Sequence, residues 1–192
     1  MKKTYFIIPS ILVLALILAS CATPPRDEMD RAIDAVIRAE NDVYAVVYAP
    51  STLVRARQAL SRMQTASDTR RFDAARNYAS EAINLAERAI NEGRVGAAQA
   101  RAEALALLNV LPGLLDETSS AITAARRRPV QLDFDALSRD LAFSRLTYED
   151  ARQSFQDSHY RDALDRAQAA RSLLATINTR INEGVQIIAR KQ

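Results

Sequence analysis

Five places in the 192-residue chain carry residue types able to do chemistry: the only cysteine, Cys21; the only histidine, His159; the pair Asp133 and Asp135; the triplet Arg126-Arg127-Arg128; and the penultimate Lys191. A thiolate can attack, ligate a metal or accept a covalent group. A zinc site takes three or four nitrogen, sulfur or carboxylate ligands, and His159 has no second imidazole to join it. Two carboxylates can flank a glycan, but acidic side chains two apart also suit the positive end of a helix dipole. Three adjacent arginines have the mirror reading, cations at a helix C-terminus, with a phosphate or lipid-headgroup contact as the sharper alternative. The chain holds no GxSxG, HExxH or glycine-rich phosphate loop. Catalytic, cofactor-binding and metal residues are therefore expected to be none.

The setting of Cys21 narrows its chemistry. Lys2 and Lys3 precede an apolar run from Phe6 to Leu18, and the small residues Ala19 and Ser20 follow. That is the layout of a secretory signal, positive end, short apolar middle and small-residue cleavage site. The run carries Pro9 and falls short of the roughly 18 residues needed for a membrane span. A single cysteine in an exported chain cannot close an internal disulfide, leaving an intermolecular bridge, a free thiol or a covalent modification. Leu18-Ala19-Ser20-Cys21 resembles the lipobox of bacterial lipoproteins. The resemblance implies a signal peptide over residues 1–20, diacylglycerol on the Cys21 thiol and a fatty acid such as palmitate on its amine. Ala22 in place of an aspartate implies passage to the outer membrane, facing the periplasm, with the cell surface or cytoplasmic membrane as alternatives. Residues 21–28 then form the lipidated N-terminus and a short tether. With Cys21 alkylated, His159 reads as a solvated turn residue. Lys191 is distantly similar to the terminal lysine by which the major outer-membrane lipoprotein is joined to peptidoglycan.

Composition excludes one class of partner. The net charge of +3 falls to about +1 when Lys2 and Lys3 leave with the signal, which argues against nucleic acid despite a pI of 9.2. No small-molecule substrate or cofactor is evident. Tryptophan is absent and aromatics make up 6% of the chain, as suits closely packed alanine-rich helices.

Glycine and proline are sparse beyond the tether, which predicts long helices. The first is expected over about Asp27 to Val47, with Met29, Ile33, Val36, Ile37, Val43, Tyr44 and Val47 on its apolar face. Pro50 suits the first turn of a second helix presenting Leu53, Ala56, Leu60 and Met63. "SDTRRF" ends it. A third helix begins at Phe72 with a seam of Ala75, Ala79, Ala82, Ala86 and Ala89, and is expected to continue past Gly93 to Pro112. A fourth follows from Leu114 to Arg128. The fifth carries Phe134, Leu137, Leu141, Ser144, Tyr148, Ala151 and Phe155, and the sixth runs from Tyr160 to about Arg190.

"RFDAARNYASEAINL" and "HYRDALDRAQAARSL" align at an offset of 88, Phe72 on Tyr160, Ala75 on Ala163, Ala79 on Ala167 and Ala82 on Ala170. Upstream, Leu53 falls on Leu141 and Leu60 on Tyr148. Both copies end in "INEG", the second three residues late. An internal duplication is the reading. The fold expected is all-α, an elongated bundle of about six helices built from two hairpin-like repeats, covering 29–192 with copy one at about 30–93, connecting helices at about 94–128 and copy two at about 133–184. Each copy resembles a tetratricopeptide hairpin, whose second helix opens on an aromatic followed by spaced alanines. Tyr48-Ala49-Pro50, Leu53, Ala56, Leu60, Phe72, Ala75, Ala79 and Ala82 also resemble an uncharacterised helical family of bacterial envelope lipoproteins. The function expected is that of a non-enzymatic interaction or scaffold module, held at the membrane by its lipid and bound to another envelope protein. A cell-wall enzyme and a peptidoglycan tether or spacer are the alternatives.

Overall fold

The computed structural model describes residues 24–189. Among them the chain is all-α, with six helices and no strand: α1 (Arg26–Asn41), α2 (Val43–Tyr48), α3 (Pro50–Asp68), α4 (Phe72–Arg126), α5 (Phe134–Gln156) and α6 (Tyr160–Ala189). The chain divides into two compact units, the first ending at Gly93 and the second beginning at Arg94. Cys21 with its preceding segment, and Lys191, lie outside the described residues. No described helix is long and apolar enough to cross a membrane.

The first unit has a core made largely of alanine. Ala32, Ala35, Val36 and Ala39 of α1 meet Leu53, Ala56, Ala59 and Met63 of α3 and the Ala79, Ala82, Ala86 and Ala89 seam of α4. Small side chains bury little area each but let helix backbones approach closely. The expected second helix and the alanine seam are both found as read, with Pro50 in the opening turn of α3. The expected first helix is not. It breaks at Asp42, whose extended backbone (φ −81°, ψ 110°) and carboxylate, accepting from the Ala45 N–H at 2.8 Å, start a new helix. Aspartate competes with the helix for backbone hydrogen bonds, which makes it a poor interior residue and a strong N-cap. The expected apolar face is corrected in part: Val36 is buried as expected and Met29 and Ile33 are half-buried, but Ile37, Val43, Tyr44 and Val47 are exposed and Ala32, Ala35, Ala39 and Ala45 fill the remaining core positions.

The second unit has larger core residues. Leu108, Leu111, Leu115, Ile122 and Ala125 of α4 pack with Leu137, Leu141 and Ala151 of α5 and with Ala167, Ala170, Leu174, Ile177 and Ile181 of α6. The expected break at Pro112 does not occur, so the separate fourth helix from Leu114 is part of α4, which ends at Arg126. An interior proline costs about 3 kcal/mol through a lost hydrogen bond and a steric clash. Leu111 and Leu115 straddle it in the core, and full burial of one leucine contributes about 1.5–3 kcal/mol. Core burial on both sides outweighs the proline.

The correspondence at an offset of 88 residues reaches into the hairpin turns. After α3, Arg70 has φ 55° and the Arg71 N–H donates to Ala66 O at 2.8 Å; after α5, Ser158 has φ 63° and the His159 N–H donates to Ser154 O at 2.9 Å. These are the same left-handed helix ends, 88 residues apart, each followed at once by the next helix. The buried registers agree as well: Leu53 and Leu141, Ala56 and Ser144, Met63 and Ala151, Ala86 and Leu174, Ala89 and Ile177.

Neither turn uses glycine at its left-handed residue, which makes both improvable. Left-handed backbone costs a residue with a Cβ about 1–2 kcal/mol, whereas glycine enlarges unfolded-state entropy by about 0.4–1 kcal/mol. Arg70→Gly and Ser158→Gly should each stabilise the protein by about 0.5–1 kcal/mol. Denaturant titration of each variant reads this directly, and a loss of stability would contradict it.

Candidate functional site

The residues singled out by type are not brought together. The Asp133 carboxylate accepts from the Ala136 N–H at 2.8 Å and caps α5, with Asp135 in the first turn. His159 is exposed in the turn before α6, its backbone oxygen accepting from the Ala163 N–H at 2.9 Å. Arg126 closes α4, its guanidinium 5.4 Å from the Phe134 ring centroid, and Arg127 and Arg128 continue into the following turn. Among the described residues no three His, Cys, Asp or Glu side chains gather as a metal site would require.

A different feature stands out, the short helix α2, with sequence Val43-Tyr44-Ala45-Val46-Val47-Tyr48. Six residues are too few for a helix to persist by itself, so tertiary contacts must hold it. Asp42 caps it at one end. The Ala49 N–H donates to Ala45 O at 3.0 Å at the other, just before Pro50 opens α3. The third hold comes from Gly93 of α4, the end of the first "INEG". A Cβ at Gly93 would lie 2.5 Å from the Ala45 nitrogen and 2.6 Å from the Tyr44 carbonyl carbon, so the α2 backbone rests where a side chain would otherwise be. Beside it, Glu92 accepts from the Thr52 hydroxyl at 2.6 Å and from Arg88 Nε at 2.7 Å, joining α3 to α4.

These bonds hold the Glu92 carboxyl below its ordinary pKa; the Thr52 hydroxyl is the larger cause, Arg88 adds to it, and partial desolvation opposes both. A depressed carboxyl contributes stability that is fully present above its unfolded pKa and is lost as pH falls from there through the lower folded value. Glu92 is half-exposed, so solvent screens the effect. Thr52→Val should raise the Glu92 pKa toward the ordinary range and flatten this acid limb. A carbon-detected NMR titration of the Glu92 carboxyl measures it; an unmoved pKa would show that the hydroxyl does not set it.

Held this way, α2 buries Ala45, half-buries Tyr48 and presents Val43, Tyr44, Val46 and Val47 outward. Val43 is 71% exposed, Val46 46%, Val47 40% and Tyr44 38%, with the Tyr44 and Tyr48 rings 6.4 Å apart. Ile37 on α1 and Val54 on α3 are exposed as well. Valine and tyrosine are mediocre helix formers, so neither helix propensity nor the core explains them. Together these residues form an exposed apolar set on a backbone held by Asp42 and Gly93. The spacing of Val43, Tyr44 and Val47 continues that of α1 and so predicts a single apolar helix face; only Asp42, a cap residue inside the pattern, marks the break.

The fold and this surface define an all-α helical protein with an exposed apolar element in its first unit. Residues 27–105 match the family described as a domain of unknown function, DUF4398, and so are similar to an uncharacterised family. No curated protein and no solved structure matches the chain. The match takes in α1, α2 and α3, the Gly93 contact and the Glu92 bridge.

Proposed function

We propose that the chain is a lipid-anchored, non-enzymatic interaction module of the bacterial cell envelope, and that the face of α2 receives its protein partner. The observation that carries this reading is the exposure of Val43, Tyr44, Val46 and Val47 on a helix fixed from beneath by Gly93. Apolar anchors on a preorganised backbone lose little entropy on binding, the condition under which a small patch gives useful affinity. The compartment rests on the lipobox-like Leu18-Ala19-Ser20-Cys21, with Cys21 as the lipidated residue. Acyl chains would hold the module at the membrane, leaving the helices free to engage a neighbour in the periplasm.

Two measurements test the two halves of the reading. Cys21→Ala should abolish incorporation of labelled fatty acid and leave an uncleaved or soluble product, whereas a processed, fully membrane-bound variant would reject lipidation. A photo-crosslinking residue at Val43 or Val46 in the native envelope should yield a protein adduct, and Val43→Ser with Val47→Ser should remove the Val46 adduct without changing the unfolding transition. Adducts that survive those changes would reject the α2 face. Carboxylate-dependent cleavage of muropeptides by the purified protein would favour the enzyme class instead.

A further inference from the structure

We infer that the second unit carries a binding site for a polyol phosphate, a phosphate ester whose carbon body bears free hydroxyls, in a cavity between the end of α4 and the start of α5. The cavity measures about 310 Å³, the lower end of the range for small-molecule sites. Two guanidinium groups line it, Arg126 of α4 and Arg145 of α5. Neither forms an ion pair among the described residues, and Arg126 is oriented by its stack on Phe134. Paired arginine forks are the strongest side-chain recognition available for a phosphate, because each offers parallel N–H donors to two oxygens.

The rest of the lining says what carries the phosphate. Ser119 makes no side-chain hydrogen bond among the described residues and is a further donor for an anionic oxygen. Thr123 and Ser138 donate to Ser119 O at 3.0 Å and Phe134 O at 2.7 Å, and in that arrangement their hydroxyl oxygens offer acceptor lone pairs to the cavity. An oxyanion gains nothing from acceptors, but the hydroxyls of a polyol do. Leu141 supplies an apolar wall for the carbon chain. Two other cavities of this unit differ: one is lined by Asp133 and Glu183, and its Arg180 is paired with Asp140 at 2.8 Å; the other is lined by Asp116 and Glu149. Arg145 borders that last cavity as well but forms no ion pair with either carboxylate. The cavity beside Arg126 has no carboxylate in its lining.

Glycerol phosphate has this chemistry both as a free ester and as the headgroup of phosphatidylglycerol. The test uses the full chain in uncharged detergent, following by NMR the arginine side-chain Nε–H signals and, so that the arginine variants can be read as well, the backbone amides of Ser119, Ile122 and Ala142 in the cavity lining. Glycerol 3-phosphate should shift Arg126 and Arg145 saturably, and inorganic phosphate should do so more weakly because it lacks the hydroxyls. Arg126→Gln with Arg145→Gln should weaken binding about tenfold or more. Arg145→Gln alone, which leaves the Phe134 stack intact, should also weaken it, and Arg171→Gln on α6 should not. Thr123→Val should narrow the difference between the two probes. Repeating the titration in phosphatidylcholine bilayers with and without phosphatidylglycerol separates the sources: loss of the response to the free ester when phosphatidylglycerol is present assigns the headgroup, and an unchanged response assigns a soluble ester. Shifts that chloride reproduces at equal ionic strength, or that persist in the double variant with an unchanged melting temperature, would overturn the inference.

Discussion

Gly93→Ala is expected to destabilise the first unit by about 1–3 kcal/mol or more, the usual cost of overpacking. The sign is the informative part, because alanine in place of an interior helical glycine ordinarily gains about 1 kcal/mol. At Gly93 the added methyl would fall 2.5 Å from the Ala45 nitrogen, and the contacting atoms are backbone, which cannot rotate aside. Either α2 lifts away, losing its support, or α4 shifts within the alanine seam. Gly113 is the matched control, a glycine of the same helix with nothing within 4 Å of the added atom. Gly113→Ala should stabilise by about 0.5–1 kcal/mol. Denaturant unfolding of both variants decides the matter; stabilisation by both would mean that α2 does not rest on Gly93. If the α2 face is the partner surface, Gly93→Ala should also weaken the Val43 crosslink, which Gly113→Ala leaves intact.

Leu174→Ala should cost the second unit about 2–5 kcal/mol. Leu174 is 2% exposed and occupies the register of Ala86 in the first copy. A repeat-consensus argument would predict that alanine is tolerated there, since the equivalent helix packs well with it. The surroundings say otherwise. Ala86 sits in a seam of alanines, while Leu174 packs in a cluster with Leu111, Leu115 and Ile177. The reciprocal change, Ala86→Leu, should cost about 1–3 kcal/mol by overpacking. Amide hydrogen exchange assigns each loss to its own unit, and a change well under 1 kcal/mol for Leu174→Ala would show that its cavity collapses or fills. The two copies thus keep one register of burial but fill it with side chains of different size, and residues cannot be exchanged between them one at a time.

The sequence alone determined the helical class, the openings of α3, α4, α5 and α6, and the register of the duplication. These depend on local signals: Pro50 where a helix N–H is dispensable, aromatics at Phe72 and Tyr160, and apolar residues recurring every three or four positions. It also raised the lipidation of Cys21, which lies outside the described residues. Tertiary structure alone decided the rest. Asp42 ends α1 because its carboxylate finds the Ala45 N–H, and Pro112 does not end α4 because Leu111 and Leu115 are buried on either side of it. The exposed face of α2 follows from Gly93, 48 positions after Ala45, and the Glu92 bridge from Thr52, 40 positions before it. The paired arginines meet at one cavity from separate helices. Periodicity records which residues share a helical face, but the partner of that face is set by long-range packing, where the burial of several side chains outweighs any single proline, glycine or cap.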